Sequence, residues 1–178
     1  LSTLDHWKRT FEGWSNLNTV LYYDPEGKAG REECRRHEWH RVDITMKGTM
    51  TKSNNICKFN VLITSFEVFL QDFESVFCDL PFQHIIIDEA HRLKNKNAKI
   101  ISVLNQLVCK RIFLLTGTPI QNNMSELWSL LHFIEPGRFA DAAVFEREFG
   151  DLSNIEQLEK LKGTLRPYLL RRMKEDVE

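Results

Sequence analysis

The sequence has 178 residues, 42% hydrophobic and 28% charged, with a formal net charge of −1. That length suffices for one domain with a sizeable core, and the composition is that of an ordinary globular chain. The near-neutral balance excludes a global basic field, so nucleic-acid binding would need local patches; no apolar run reaches the ~18–20 residues that span a bilayer, and no membrane partner is expected.

In chain order, the opening residues show no basic stretch followed by an apolar one, so no secretory signal is expected. The chain starts at Leu1 and stops inside a charged, helix-like stretch, which reads as a segment of something larger. TVLYY at 19–23 is the first β-type run. From Glu26 to Lys58 the sequence is polar and poorly patterned, and no element is assigned. Within it, Cys34, His37 and His40 follow a C-x-x-H-x-x-H spacing; zinc needs a fourth ligand, none is near, and the three read as polar helix positions. Cys34, Cys57, Cys78 and Cys109 form no C-x-x-C, which suits reduced intracellular thiols better than a disulfide framework.

Three more apolar runs follow: VLITS (61–65), HIIID (84–88) and RIFLLTG (111–117). They are nearly continuous rather than alternating, the pattern of parallel strands covered on both faces. Helical stripes lie between and after them: Phe66, Phe69, Leu70, Phe73 and Phe77; Ile100, Val103, Leu104 and Leu107; Leu127, Leu130, Leu131 and Ile134. Strand alternating with helix predicts a three-layer α/β domain, a parallel sheet between helices. Pro136 and Gly137 mark a break. Beyond it the chain reads as helical, with Ser153 and Glu156 as a capping box before Ile155, Leu158, Leu161 and Leu165, until Pro167 interrupts. The predicted division is 1–137 for the α/β lobe and 138–178 for a helical extension.

In a doubly covered parallel sheet, ligands gather beyond the carboxyl ends of the strands. Asp88 and Glu89 stand at such an end. An aspartate there can hold Mg²⁺ against nucleotide phosphates, usually through water, and a neighbouring glutamate can take a proton from the water that attacks the γ-phosphate. Three isoleucines packed in the strand would fix both acids. The plainer reading is a pair of solvated acids at a helix start. A second strand end argues against it: LLTGTPIQNN (114–123) sets the hydroxyls of Thr116 and Thr118 and the flexible backbone of Gly117 at the same edge. Alone, TGTP is also compatible with a turn before a helix capped by Asn123 and Glu126.

These stretches resemble the first motor lobe of a superfamily 2 ATPase of the chromatin-remodelling, SWI/SNF-like class, a RecA-like P-loop NTPase fold. LSTLDHWKRTFEGW resembles that class's motif Ia, VLITSFE its motif Ib region, DEAHRLKN its motif II, and LLTGTPIQNNMSELWSLLHFI its motif III with the following helix. HF-x-EP-x-RF, EFGDL and LRRMKEDVE are similar to the chromodomain-helicase-DNA-binding family, its kismet-like subgroup in particular. The resemblance implies ATP and Mg²⁺ as cofactors, with Asp88 and Glu89 as the metal-binding and water-activating pair and His91 linking motif II to the nucleotide. It implies Thr116, Gly117, Thr118 and Gln121 in coupling hydrolysis to movement. It places Ser2, Thr3, Thr64 and Ser65 on a DNA-backbone track, with Lys94 and Asn95 nearby, while Arg171, Arg172 and Lys174 brace lobes, meet DNA or form a solvated basic face. Double-stranded DNA and nucleosomes with their histones are the implied partners, a larger remodelling complex the implied setting and the nucleus the implied location.

Two departures stand out. The class reads Y-H-G where this sequence has YYDPEGKAG (22–30), and no G-x-x-x-x-G-K-[ST] occurs. EGKAG (26–30) lacks the first glycine and the hydroxyl, so no backbone nest or lysine for phosphates is present. In the class that loop lies upstream of motif Ia and the second lobe follows, so this is an incomplete lobe, expected to be inactive alone. The alternative is a non-catalytic module that binds DNA or partners through a degenerate motor lobe. A DEAH-box RNA helicase is disfavoured, because that group carries S-A-T in place of T-G-T-P.

Overall fold

The computed structural model describes residues 2–25, 27–44, 50–93, 98–117, 124–150 and 154–172, with the backbone alone for residues 2, 40–44, 50–56 and 98. It contains two compact units, Leu1–Asp79 and Leu80–Glu178. No helix among the described residues is long and apolar enough to cross a membrane.

The first unit opens with α1 (Ser2–Trp14), which packs on β1 (Thr19–Leu21) and β4 (Val61–Ile63). Leu4, Trp7 and Phe11 supply its half-buried stripe. The two strands run parallel, Thr19 opposite Val61 and Leu21 opposite Ile63, as the apolar runs predicted. The unassigned polar stretch between them holds α2 (Lys28–Glu38) and an antiparallel pair, β2 (His40–Ile44) with β3 (Met50–Cys57). Charge pairs three and four residues apart hold α2: Glu33 bonds Arg36 and His37, each at 2.7 Å. Gly27 introduces the helix at φ 98, a conformation open chiefly to glycine.

Ser65 caps α3 (Phe66–Asp72) by accepting from Val68 N at 3.2 Å. At Asp72 the helix widens into a π-helical turn, Phe73–Phe77, so the single predicted stripe becomes two geometries. Both halves keep their aromatics inward. Phe77 is fully buried, edge-on to Tyr22 at 5.5 Å, and Tyr22 also meets Trp39 at 5.1 Å.

In the second unit β5 (His84–Ile87) pairs parallel with β6 (Arg111–Leu114), Ile87 opposite Leu114. The pleat corrects one expectation. Only Ile87 of the three isoleucines is buried; Ile86 is 54% exposed and Phe113, its partner in register, 46% exposed. Alternate residues of a strand point to opposite faces, and among the described residues the Ile85–Ile87 side is the more buried of the two. A 3₁₀ turn (Ala90–Leu93), α4 (Ala98–Leu104), α5 (Met124–Ile134), α6 (Ala142–Phe149) and α7 (Ile155–Leu165) complete it. Leu127, Leu131, Phe139, Phe145, Phe149, Leu161 and Leu165 form one buried cluster. The cap of α7 is Asn154, whose side chain accepts from Glu156 N at 3.0 Å; Ser153 of the expected box lies outside the described residues. Ile155, counted in the apolar stripe, is 80% exposed.

Candidate functional site

The ladder between β5 and β6 continues past the strands. Leu115 N donates to Ile87 O and Ala90 N to Leu115 O, both at 2.8 Å. This brings Asp88 and Glu89 alongside the segment that leads into Thr116 and Gly117, at the carboxyl ends of two parallel strands. Thr118 and Gln121 lie outside the described residues, as do Lys94, Asn95 and Asn123. Asp88 Oδ1 accepts from Glu89 N at 2.9 Å, which orients the carboxylate. The Ala90 N–H is taken by Leu115, so the acid pair does not cap the 3₁₀ turn through it.

Glu89 is the non-glycine residue with positive φ among those described, at 51°. A side chain in that region costs on the order of 1 kcal/mol that glycine would avoid. Its side chain is about half exposed, and its Oε2 lies 3.2 Å from His91 Nδ1. An acid held in a disfavoured conformation and open to solvent adds little to packing, which is the profile of a functional position. Gly117 is complementary: a Cβ built there meets nothing within 4 Å and its φ is not left-handed. Among the described residues, neither crowding nor backbone geometry demands glycine here.

The residues expected on a DNA track differ in what their hydroxyls have left to give. Ser2 begins α1, with its side chain outside the description, and Thr3 is exposed. Thr64 Oγ1 donates to Tyr22 O at 2.8 Å, so its one proton is committed within the lobe. Ser65 uses its oxygen as an acceptor for the cap and keeps its proton to donate. Arg171 and Arg172 are exposed. Cys34 and His37, from the spacing weighed for zinc, sit on α2, where His37 is paired with Glu33.

The EGKAG resemblance to a phosphate loop fails on geometry as well as on sequence. A Cβ at Gly30 would stand 1.6 Å from Asp24 Oδ2, so the chain's own carboxylate lies over the first turn of α2. Like charge there repels a phosphate.

One group went unnoticed in the sequence. Arg31 Nε donates to Asp72 Oδ2 at 2.8 Å and Arg31 Nη2 to Asp72 Oδ1 at 3.3 Å, while Tyr22 OH donates to Asp72 Oδ2 at 2.8 Å. All three side chains are buried. Burial pushes the Asp72 carboxyl up, but the hydrogen bonds from Arg31 and Tyr22 and the Arg31 charge outweigh it, leaving it below its ordinary range. Burial, then the bond to Asp72, pushes the Tyr22 phenol up to about 12. The available signal was Asp72 itself, an acid on the stripe of Phe69, Phe73 and Val76.

A family model described as SNF2-related domain matches residues 1–178. Chromodomain-helicase-DNA-binding protein 7 of Gallus gallus is 44% identical over 178 residues, all of this chain and 6% of that protein. Protein CHROMATIN REMODELING 4 of Arabidopsis thaliana is 42% identical over 99% of this chain and 8% of its own length. The solved structure "Sulfolobus solfataricus SWI2/SNF2 ATPase core in complex with dsDNA" superposes with a TM-score of 0.70 at 25% identity, over 99% of this chain and 33% of that one. The chain thus spans under a tenth of these curated relatives and a third of that structure. Its fold is α/β, that of a RecA-like lobe. With the match running over its whole length, the chain belongs to the SNF2-related domain family.

Proposed function

We propose that this segment is part of an ATP-dependent translocase on double-stranded DNA that remodels nucleosomes in the nucleus. The observation that carries the reading is the juxtaposition of Asp88 and Glu89 with Leu115 at the carboxyl ends of paired parallel strands. The partly exposed oxygen donors there suit Mg²⁺, a hard cation that keeps several waters. Asp88 would hold the metal, which when bound neutralises charge on the transferring phosphoryl group. Glu89 would accept the proton of the attacking water, with His91 beside it. Gly117, free of local demands, suits close approach of a ligand to the backbone, and Thr116 would pass the change to the segment holding Thr118 and Gln121. In this reading residues 1–137 belong to the motor lobe and 138–178 lead onward from it.

In the full-length protein, ATP turnover is expected to rise on addition of double-stranded DNA, whereas residues 1–178 alone stay at background. Full-length protein that binds DNA without turnover supports the non-catalytic module. Turnover by residues 1–178 alone refutes the argument from the missing phosphate loop.

The DNA side has its own test in Ser65. Aspartate caps a helix as well as serine does, so Ser65→Asp leaves α3 intact while setting a negative charge against the phosphates. Affinity for double-stranded DNA is expected to fall about fivefold to tenfold at low salt, with the gap closing as salt rises. Unchanged affinity removes Ser65 from the interface and leaves it as a cap alone.

A further inference from the structure

The chain past α7 is tied back to the body of its unit. Tyr168 N and Leu169 N both donate to Leu165 O, at 2.8 and 2.9 Å. The Tyr168 ring stands edge-on to Phe139 with centroids 5.5 Å apart. Its hydroxyl donates to Glu135 Oε2 and accepts from Arg138 Nη1 at 2.8 Å. The Arg138 guanidinium also lies over the Tyr168 ring, 5.3 Å from its centre. Glu135 and Arg138 flank the Pro136–Gly137 turn that ends α5, so the exit segment is clamped to the end of that helix. The same helix packs on the 3₁₀ turn that continues from Asp88 and Glu89. Arg171 and Arg172 follow the clamp by three and four residues.

We propose that Tyr168, with Glu135 and Arg138, is a positioning latch that sets the path of Arg171 and Arg172 and thereby how much DNA movement each ATP yields. The proposal rests on the translocase reading above. Stability is a poor reason for the cluster: Glu135 and Arg138 are exposed, where charged contacts contribute little, and Leu161 and Leu165 already close the core beneath. Direction is a better one. An untied segment after a helix frays, whereas a phenol holding one donor, one acceptor and a cation over its face has a single orientation.

The test uses the full-length protein and measures ATP turnover with double-stranded DNA alongside displacement of a triplex-forming strand. Tyr168→Phe keeps the ring on Phe139 and removes only the oxygen. ATP turnover is expected to stay within about twofold of wild type while displacement per ATP falls about threefold to tenfold, the size of one lost hydrogen-bonded contact. Glu135→Gln retains an acceptor for the phenol and is expected to keep most of the wild-type ratio; Glu135→Ala should match Tyr168→Phe. An unchanged ratio in Tyr168→Phe, or turnover falling in parallel with displacement, overturns the latch. Wild-type protein with no DNA-stimulated turnover instead removes the translocase reading, and the latch with it.

Discussion

Glu89→Gln in the full-length protein is expected to lower DNA-stimulated ATP hydrolysis by about two to four orders of magnitude, with nucleotide affinity unchanged within a few-fold. The glutamine is nearly isosteric, so the position keeps its shape and its left-handed backbone. What it loses is a basic oxygen that can take a proton. The backbone of the turn does not depend on that oxygen: Asp88 is oriented by the Glu89 main-chain N–H and Ala90 N bonds to Leu115 O, so beyond the chemistry only the 3.2 Å contact with His91 Nδ1 is altered. The half-exposed side chain carries no core packing. Turnover and equilibrium binding of a fluorescent nucleotide, measured on the same preparation, separate the cases. Affinity falling in step with turnover would move Glu89 from the chemistry to the framework.

The strand ends that form this site were legible because the information is local. A parallel strand reads as an apolar run, and its end is visible where the run stops, at Ile87 and, one residue past the observed strand β6, at Leu115. The positive φ of Glu89 was not legible, since nothing in the letters D-E-A-H requires it. The alternation of faces was readable in principle, yet the run Ile85–Ile87 hid it: three equal side chains give no hint that Ile86 points outward. The polar stretch 26–58 failed for another reason. Its order comes from charge pairs on α2 and from Arg31 reaching Asp72, 41 residues away, and no window of sequence carries such a contact. The residues expected on a DNA track show the same limit. Thr64 and Ser65 look alike in sequence, and only the bond from Thr64 to Tyr22 O, 42 residues away, separates their capacities.

The distant contact at Asp72 carries the second large prediction. Asp72→Ala is expected to destabilise the first unit by about 3–5 kcal/mol, because it takes the acceptor from Tyr22 and the charged partner from the buried Arg31 guanidinium, which keeps only the neutral Gln71 Oε1 at 2.9 Å. Arg31→Met combined with Asp72→Leu is expected to recover most of that loss, since a buried pair replaced as a pair by apolar groups of similar volume is often neutral. Hydrogen exchange across β1, β4 and α3 reads both. The pH dependence has a fixed sign at each end. The Tyr22 phenol is raised from 10.0 to about 12, so its contribution is complete below pH 10 and disappears as pH climbs through about 12. That rise corresponds to roughly 3 kcal/mol at ~1.4 kcal/mol for each pH unit. The Asp72 carboxyl is lowered, so its contribution holds above about pH 4, the unfolded value, and is lost as pH falls further. Tyr22→Phe should abolish the alkaline loss and keep the acid one, while Asp72→Ala should abolish the acid loss. An Asp72→Ala penalty under about 1 kcal/mol would mean that Gln71 or water suffices for Arg31, and that α2 is not fastened through the pair with Asp72.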